Sequence, residues 1–354
     1  MAEKVLMKGN EAIAEAAMIA GCRHYFGYPI TPQTEIAAYM AKRMPKVGGT
    51  FLQAESELAA INMVYGVSAA GKRAMTSSSS PGISLKSEGL SALAGADLPA
   101  LVVNCQRGGP GLGGIQPGQA DYFQATKGGG HGDYHMIVLA PASVQEMAEL
   151  TIRGFELADE YRMTVMILAD GTIGQVMEPI SLNFEQRESA EKNWAVTGTG
   201  MKRPHNIVNS LFLSPEILEQ KVLDRYRKYA EVTKKEAMAE EYMLDDAKIV
   251  IAAYGIAARV SKNAVDEARA EGIKVGLIRP ITLWPFPVDV FRKALGTAKQ
   301  FISVELSMGQ MIEDVKLAIE CKVPTDLCNR VGGMIPSQEE VVLAIRKAAE
   351  RIGD

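Results

Sequence analysis

Apolar segments of strand length alternate with helical segments through most of this 354-residue sequence. The segments Pro99–Asn104 and Thr164–Ala169 are almost entirely apolar, which is typical of strands buried on both faces of a parallel sheet. Between them, Ser143–Tyr161 predicts an amphipathic helix, with Ser143 at the capping position and Glu146 three residues further on. Strands separated by helices indicate right-handed βαβ units, and therefore an α/β fold.

A second α/β pattern follows the first one. From about residue 186 the charge density rises and the apolar periodicity is lost, until strand and helix segments alternate again from Lys248 onward. We therefore expect a first domain over residues 1–185, a charged linker with an external helix over 186–244, and a smaller α/β domain over 245–354.

The composition excludes several classes of function. A net charge of −4 argues against a nucleic-acid or membrane-surface partner. The four cysteines are scattered without a C-x-x-C pair, so the sequence offers no zinc or iron–sulfur framework. No signal pattern and no apolar run of membrane length is present, and we expect a cytoplasmic protein with reduced thiols.

The turn Gly27–Pro32, with the sequence GYPITP, follows a predicted strand and precedes a predicted helix. Such a turn lies at the carboxyl edge of the sheet, where open α/β sheets bind their ligands. A helix N-terminus at that edge also favours anions. Thr31 is therefore a candidate contact for a small anionic substrate, although it could equally serve only as a helix cap.

Two carboxylates, Glu55 and Glu57, stand at the start of a predicted alanine-rich helix, Ser56–Ala70. The helix dipole stabilises carboxylates in a first turn, and this accounts for both residues without any catalytic role. Glu57, however, leads into apolar sequence. A carboxyl group buried there would hold a proton more tightly, as a general acid or base requires.

Two further segments place polar groups at the ends of predicted strands. Thr76–Gly82, with the sequence TSSSSPG, suits either a polar ligand or a capped serine-rich turn. Arg107 could bind a substrate carboxylate bidentately, or order the glycine-rich loop that follows it through a salt bridge. The glycines of Gly109–Gly114 have dinucleotide-fingerprint spacing, but Pro110 and Pro117 disfavour the helix that such a site needs.

The loop Lys127–His135 contains four glycines and two histidines. His131 and His135 lack helical spacing, and we predict no metal ligand in this chain. Such a loop is more typical of an active-site loop or a subunit contact.

Four of these segments, in this order and spacing, resemble the α subunit of the 2-oxoacid:ferredoxin oxidoreductases. They are Gly27–Pro32, Glu55–Glu57, Thr76–Gly82 and Gln106–Pro110. The resemblance covers nearly the whole chain. The continuation over residues 111–116 and the loop over 127–133 look most like the branched-chain type, which acts on 2-oxoisovalerate (3-methyl-2-oxobutanoate).

The resemblance implies a fold and a reaction. The fold would be a thiamine-diphosphate-binding domain of the pyrimidine type with a parallel sheet, followed by a smaller domain like the C-terminal domain of transketolase. The reaction would convert a 2-oxoacid and coenzyme A to acyl-CoA and CO₂, with reduction of ferredoxin.

The resemblance also implies partners. Thiamine diphosphate would be shared with a β subunit that carries the Mg²⁺- and diphosphate-binding motif. A γ subunit and a ferredoxin-like δ subunit would complete the complex, and [4Fe-4S] clusters are expected in these partners rather than in this chain. The chain alone is then expected to be inactive.

Residue roles follow from the same resemblance. Glu57 matches the family's cofactor glutamate, whose carboxyl group holds the aminopyrimidine ring and takes part in catalysis. Thr31 and Arg107 match positions that contact the oxoacid, while Glu55 has no family role. The residues expected to contact the cofactor are Tyr28, Pro29, Ile30 and Glu57.

Several alternatives stay open at this point. The substrate could be 2-oxoglutarate or pyruvate, because a few methyl groups distinguish such pockets by only about 1–3 kcal/mol. A transketolase-like or lipoamide-using dehydrogenase subunit would share the glutamate, but would not be expected to carry the Tyr-Pro-Ile-Thr-Pro sequence. A non-catalytic scaffold subunit is the third possibility.

Overall fold

The computed structural model describes residues 4–353 and divides them into strands and helices. The strands, in chain order, are β1 Lys4–Lys8, β2 His24–Gly27, β3 Thr50–Gln53, β4 Ala74–Ser78, β5 Ala100–Gln106, β6 Ile137–Leu139, β7 Thr164–Asp170, β8 Met177–Ser181, β9 Ala239–Tyr242, β10 Ile249–Ala253, β11 Val275–Pro280, β12 Thr282–Trp284, β13 Gln300–Glu305 and β14 Thr325–Asn329. The α-helices are α1 Gly9–Ile19, α2 Thr34–Arg43, α3 Glu57–Ala69, α4 Ser80–Gly95, α5 Tyr122–Thr126, α6 Val144–Tyr161, α7 Gly171–Gln175, α8 Pro215–Glu236, α9 Gly255–Ala270, α10 Val288–Ala294, α11 Met311–Ala318 and α12 Gln338–Ile352.

The larger sheet has seven strands in the order β12-β6-β7-β5-β4-β2-β3. Its strands pair in parallel except for β12, which runs antiparallel to β6. Helices cover both faces, because successive side chains of each strand point to opposite sides. In β7, Val165 and Ile167 pack under α1 and α6, whereas Met166 and Leu168 face the opposite layer, which contains α3 and α4. This two-sided burial explains the continuous apolar runs in the sequence.

The smaller sheet has five strands in the order β14-β13-β10-β11-β9. The pairs are parallel except for β9, which runs antiparallel to β11. Helices α9 and α12 cover one face, and the other face joins the core of the first domain through residues such as Tyr254 and Phe301. The α/β class, with a parallel-sheet domain followed by a smaller α/β domain, is confirmed.

The boundaries 1–185, 186–244 and 245–354 stay predictions, and their ends at residues 1–3 and 354 lie outside the described residues. The structure adds two connections that the sequence pattern did not indicate. Strand β9 falls within the segment 186–244 yet belongs to the smaller sheet, and β12 comes from the second domain yet extends the larger sheet. Strands β1 and β8 form a separate antiparallel pair. Among residues 4–353, no helix is both long and apolar enough to cross a bilayer.

Candidate active site

The four segments identified in the sequence follow four strands that lie side by side. The sheet order over this region is β5-β4-β2-β3, and all of these strands run parallel. Arg107 follows β5, Ser79 follows β4, the turn Gly27–Pro32 follows β2, and Glu57 follows β3. Because the carboxyl ends of parallel strands meet at one edge, the fold brings these segments together where α/β sheets bind ligands.

Glu57 is the first residue of α3, and its side chain is only 5% exposed. Ser56 precedes it as the N-cap and accepts a hydrogen bond from the backbone N–H of Ala59 at 3.1 Å. The helix therefore begins where the sequence predicts a cap. Glu55, two residues earlier, is exposed. The two carboxylates of this segment thus have opposite environments: Glu55 is exposed to solvent, and Glu57 is buried in the protein interior.

The first turn of α4 lies directly against the Glu57 carboxyl group. A Cβ atom added to Gly82 would lie 2.7 Å from Glu57 Oε1, and it would meet Ser78 Oγ at a still shorter distance. A side chain at Gly82 would therefore displace the carboxyl group. In the described part of the chain, the buried hydroxyls of Thr76, Ser78 and Ser79 have no hydrogen-bond partner. Unpartnered buried hydroxyls beside a buried carboxyl group are suited to a polar ligand.

Arg107 is 6% exposed, and its guanidinium is oriented by backbone carbonyls. Nη1 donates to Thr31 O and Nη2 donates to Leu112 O, both at 2.9 Å. Nε is buried without a partner, and no carboxylate among residues 4–353 forms an ion pair with Arg107. The guanidinium orders the glycine-rich loop through a carbonyl rather than a salt bridge, and it keeps donors for an anion.

The turn after β2 is more exposed than the other segments. Tyr28 is 38% exposed, Pro29 and Thr31 are exposed, and Ile30 is half-buried. The buried side chain of Gln33 holds the turn in place, since its Nε2 donates a hydrogen bond to Tyr28 O at 3.3 Å. Sequence reasoning did not identify Gln33, and only its complete burial in the fold distinguishes it from an ordinary helix-start residue.

Gln33 belongs to a chain of buried hydrogen bonds that reaches β4. Ser77 Oγ donates to Gln33 Oε1 at 2.5 Å and lies 2.6 Å from the hydroxyl of Tyr25. All three side chains are fully buried. A satisfied polar network of this kind fixes a single geometry, and here it fixes the turn after β2 relative to the end of β4.

Asp121 is a half-buried carboxylate near the site, and the sequence did not indicate it. Its Oδ2 accepts hydrogen bonds from Ser80 Oγ at 2.6 Å and Asn104 Nδ2 at 2.9 Å. Burial raises the pKa of Asp121, and these two hydrogen bonds oppose the effect. The backbone N–H of Arg107 donates to Ser80 Oγ at 3.0 Å. Asp121 thus ties the first turn of α4 to the end of β5.

A cleft of about 650 Å³ opens beside the first turn of α4, between the two domains. One wall consists of Ser80, Pro81 and the glycine-rich loop from Gly108 to Gly111, and the other includes the segment Leu306–Met308. Gln119, between the lining residues Gly118 and Ala120, is fully buried; its side chain donates to Tyr254 O at 3.0 Å and accepts from the N–H of Leu306 at 3.1 Å. Both domains therefore shape this edge of the sheet.

The two histidines of the loop Lys127–His135 lie in different environments. His131 is exposed, whereas His135 stacks on Trp284 with ring centroids 4.7 Å apart, at the contact between the domains. Within residues 4–353, no three His, Cys, Asp or Glu side chains are grouped so that they could hold a metal ion. No helix begins at Gly114, so the dinucleotide spacing lacks its structural context.

Comparison with known proteins assigns the chain to a family. The family model described as "Pyruvate flavodoxin/ferredoxin oxidoreductase, thiamine diP-bdg" matches residues 15–244. A second model, "Pyruvate:ferredoxin oxidoreductase core domain II", matches residues 247–341. Together they span most of the sequence.

Curated relatives agree with this assignment. The ketoisovalerate oxidoreductase subunit VorB of Methanothermobacter marburgensis is 53% identical over 352 residues, covering 99% of each chain. The 2-oxoglutarate synthase subunit KorA of Methanocaldococcus jannaschii is 36% identical, covering 96% of this chain and 98% of its own.

Solved structures give the same result. The 2-oxoglutarate:ferredoxin oxidoreductase from Magnetococcus marinus superimposes with a TM-score of 0.87 at 29% identity, over 98% of this chain and 65% of that chain. A split-gene transketolase shares the fold, with a TM-score of 0.61 at 14% identity. This chain belongs to the pyruvate flavodoxin/ferredoxin oxidoreductase family and is a subunit of a 2-oxoacid:ferredoxin oxidoreductase.

Proposed function

We propose that this subunit holds the aminopyrimidine half of thiamine diphosphate through Glu57, in an enzyme that oxidatively decarboxylates 2-oxoisovalerate to acyl-CoA and CO₂ and reduces ferredoxin. The observation that carries the proposal is the position of Glu57. Glu57 begins a helix, and its buried carboxyl group lies against Gly82 in the first turn of α4, close to the unpartnered hydroxyl of Ser78.

The residues around Glu57 fit the cofactor's aminopyrimidine ring. Gly82 allows the carboxyl group to lie against α4, and Ser78 and Ser79 offer hydroxyls that lack partners in the described chain. When bound, thiamine diphosphate supplies an acidic thiazolium C2–H and an electron sink for decarboxylation. Glu57 would share a proton with a pyrimidine ring nitrogen, and its burial would exclude water from that hydrogen bond.

The turn after β2 would form the wall of the cofactor site. Tyr28, Pro29 and Ile30 present largely apolar surface, and the hydrogen bond from Gln33 to Tyr28 O holds them in place. Rigid apolar neighbours contribute most to the binding free energy of an aromatic cofactor ring, since little conformational freedom is then lost on binding.

Arg107 and Thr31 would bind the oxoacid. Two carbonyls already fix the plane of the guanidinium, and the buried Nε has no partner among the described residues. A substrate carboxylate would therefore meet an oriented cation. Decarboxylation discharges this carboxylate, so a very tight clamp would stabilise the ground state, and positioning is the more useful role.

Two observations support the choice of a branched-chain substrate: the sequence identity to a relative, and the composition of the loop beside Arg107. The relative at 53% identity is named for ketoisovalerate. Residues 108–116 carry no charged side chain, and their apolar members, Leu112 and Ile115, are exposed. A second substrate carboxylate, as in 2-oxoglutarate, would lack a cation in this loop, whereas an isopropyl group matches its apolar side chains.

The remaining components of the enzyme would come from other subunits. We place the Mg²⁺ and diphosphate site in a β subunit and the [4Fe-4S] clusters in partner subunits. The partners would also include a γ subunit and a ferredoxin-like δ subunit. The relatives' names as subunits support an assembly of several chains. Its location would be cytoplasmic, since all four cysteines are free thiols.

The reconstituted complex tests the role of Glu57. Glu57→Gln keeps the size of the side chain but removes its ability to exchange a proton. We expect thiamine-dependent reduction of ferredoxin, with 2-oxoisovalerate and coenzyme A, to fall by at least about 100-fold. The matched control is Glu55→Gln, two residues away and exposed, which should retain activity. Gel filtration should show that both variants assemble.

Near-normal turnover by Glu57→Gln would refute this role. The substrate is tested separately, by comparing kcat/KM for 2-oxoisovalerate, pyruvate and 2-oxoglutarate with the same complex. A preference for 2-oxoglutarate would replace the branched-chain assignment and leave the family unchanged.

A further inference from the structure

Lys86 is a charged residue in the interior that the proposed chemistry does not use. It lies on α4, and none of its surface is exposed. Its Nζ donates a hydrogen bond of 3.3 Å to the backbone oxygen of Glu57. In the described residues no carboxylate forms an ion pair with it. Lysine is almost never fully buried without such a pair, because burial of the charge is costly.

The position of Lys86 on its helix explains why it meets Glu57. Gly82 and Lys86 are four residues apart and therefore share one face of α4. Gly82 makes room for the Glu57 carboxyl group, and one turn later Lys86 contacts the Glu57 backbone. The same face of α4 thus holds Glu57 at two points. A methionine would fill a similar volume without the cost of burying charge. Packing alone therefore does not explain a lysine at this position.

We infer that Lys86 is a positioning residue for Glu57. Lys86 fixes the first turn of α3, and its charge controls how readily the Glu57 carboxyl group takes up a proton from the cofactor. This inference rests on the proposed function of Glu57. Lys86 has no route to the substrate, since it is enclosed on all sides, and it acts only through Glu57.

The charges around Lys86 are few. Burial lowers its pKa from 10.5 to about 8, and the charge of Glu57 on α3 acts in the opposite direction. Strands β5 and β7 also pack against α4 and carry the titratable residues Cys105 and Asp170. The charge of Asp170 acts on Cys105, and neither residue shifts the pKa of Lys86. Lys86 therefore loses its proton near pH 8, and a carboxyl group beside a neutral amine holds a proton more tightly than one beside a cation.

The test uses the reconstituted complex with Lys86→Met and Lys86→Gln, two neutral variants of different polarity. Two quantities are measured between pH 6.5 and 9.5: the affinity for thiamine diphosphate by calorimetry, and deuterium exchange at C2 of the bound cofactor by acid quench and NMR. Lys46→Met, on an exposed lysine, is the matched control. Thermal unfolding confirms that each variant is folded.

We expect the wild type and Lys46→Met to show a step near pH 8 in the exchange rate, and both Lys86 variants to lack it. One charge acting over roughly 10 Å at an effective dielectric constant of about 20 makes the step about tenfold or more. If the Lys86 variants bind the cofactor and keep the wild-type step, the inference is wrong while the proposed function stands. If the wild-type complex neither binds thiamine diphosphate nor exchanges C2, both are wrong.

Discussion

Arg107 Nη1 donates a hydrogen bond of 2.9 Å to the backbone oxygen of Thr31, a residue 76 positions earlier in the chain. The bond joins the loop after β5 to the turn after β2, although β4 lies between these strands in the sheet. The two proposed substrate contacts are therefore joined by a direct hydrogen bond. Loss of the guanidinium would release the turn as well as remove a cation.

Arg107→Ala should raise the KM for the 2-oxoacid by about 10- to 100-fold. A hydrogen bond to a charged group contributes about 1.5–3 kcal/mol, and each 1.4 kcal/mol corresponds to a factor of ten. The KM for coenzyme A should change little, which distinguishes lost substrate contact from general damage. An unchanged KM for the oxoacid would remove Arg107 from the site.

Gly82→Ala should weaken thiamine diphosphate binding by at least about tenfold, although alanine favours a helix. The added Cβ would lie 2.7 Å from Glu57 Oε1 and displace the carboxyl group. A lost hydrogen bond to a charged group costs about 1.5–3 kcal/mol, which corresponds to about tenfold or more in affinity. Calorimetry on the reconstituted complex measures the affinity.

Gly66→Ala is the matched control for this change. Gly66 lies within α3, where an added Cβ meets nothing within 4 Å. We expect it to raise the free energy of unfolding by about 1 kcal/mol, through helix propensity, and to leave cofactor affinity unchanged. Equal affinities of both variants for thiamine diphosphate would show that the close approach of Gly82 to the Glu57 carboxyl group is not needed for cofactor binding.

Lys86→Met should stabilise the chain near pH 7, and the advantage should shrink at alkaline pH. Below pH 8 both folded and unfolded chains hold the Lys86 proton, and the folded chain bears the full cost of a buried charge. Between about pH 8 and 10.5 only the unfolded chain keeps it, so the wild-type free energy of unfolding rises with pH. A pKa lowered from 10.5 to about 8 corresponds to about 3 kcal/mol.

Urea unfolding of both chains at pH 7 and at pH 10.5 measures this effect. The difference in the free energy of unfolding between Lys86→Met and wild type should fall by about 3 kcal/mol across that interval. A difference that is independent of pH would mean that Lys86 titrates with the same pKa in the folded and unfolded chains.

Asp170→Ala should lower the free energy of unfolding by about 3 kcal/mol or more. Its carboxylate accepts hydrogen bonds from the N–H groups of Thr172 and Ile173, and from that of Ile256 in the second domain at 2.7 Å. Removal would leave buried donors unsatisfied at the contact between the domains. Asp245→Ala, an exposed acid, should change stability by less than about 0.5 kcal/mol. Urea unfolding at pH 7 compares them.

Local signals in the sequence were sufficient for many of the strands and helices and for the family. The apolar segment that the sequence places at Pro99–Asn104 is strand β5, Ala100–Gln106, and Ser143 caps α6 by accepting a hydrogen bond from the N–H of Glu146 at 3.1 Å. Such features depend on neighbours within a few residues, and so the sequence contains them directly. The family assignment depends on short motifs and is confirmed by the comparisons.

The tertiary structure decided what surrounds each motif. Lys86 looks like a surface residue of an amphipathic helix, and only the packing of α4 on α3 encloses it beside Glu57. In the sequence, Gln33 looks like an ordinary helix-start residue. Only the fold shows that it accepts a hydrogen bond from Ser77 on β4.

By itself, the sequence determined the α/β class, the order of the motifs and the family to which the chain belongs. Only the tertiary structure decided that β5, β4, β2 and β3 lie side by side, and that a backbone oxygen holds Arg107. The physical reason is that strand order and buried partners depend on contacts between residues far apart in the chain. No local pattern of hydrophobicity or turn residues specifies which of these distant groups will meet.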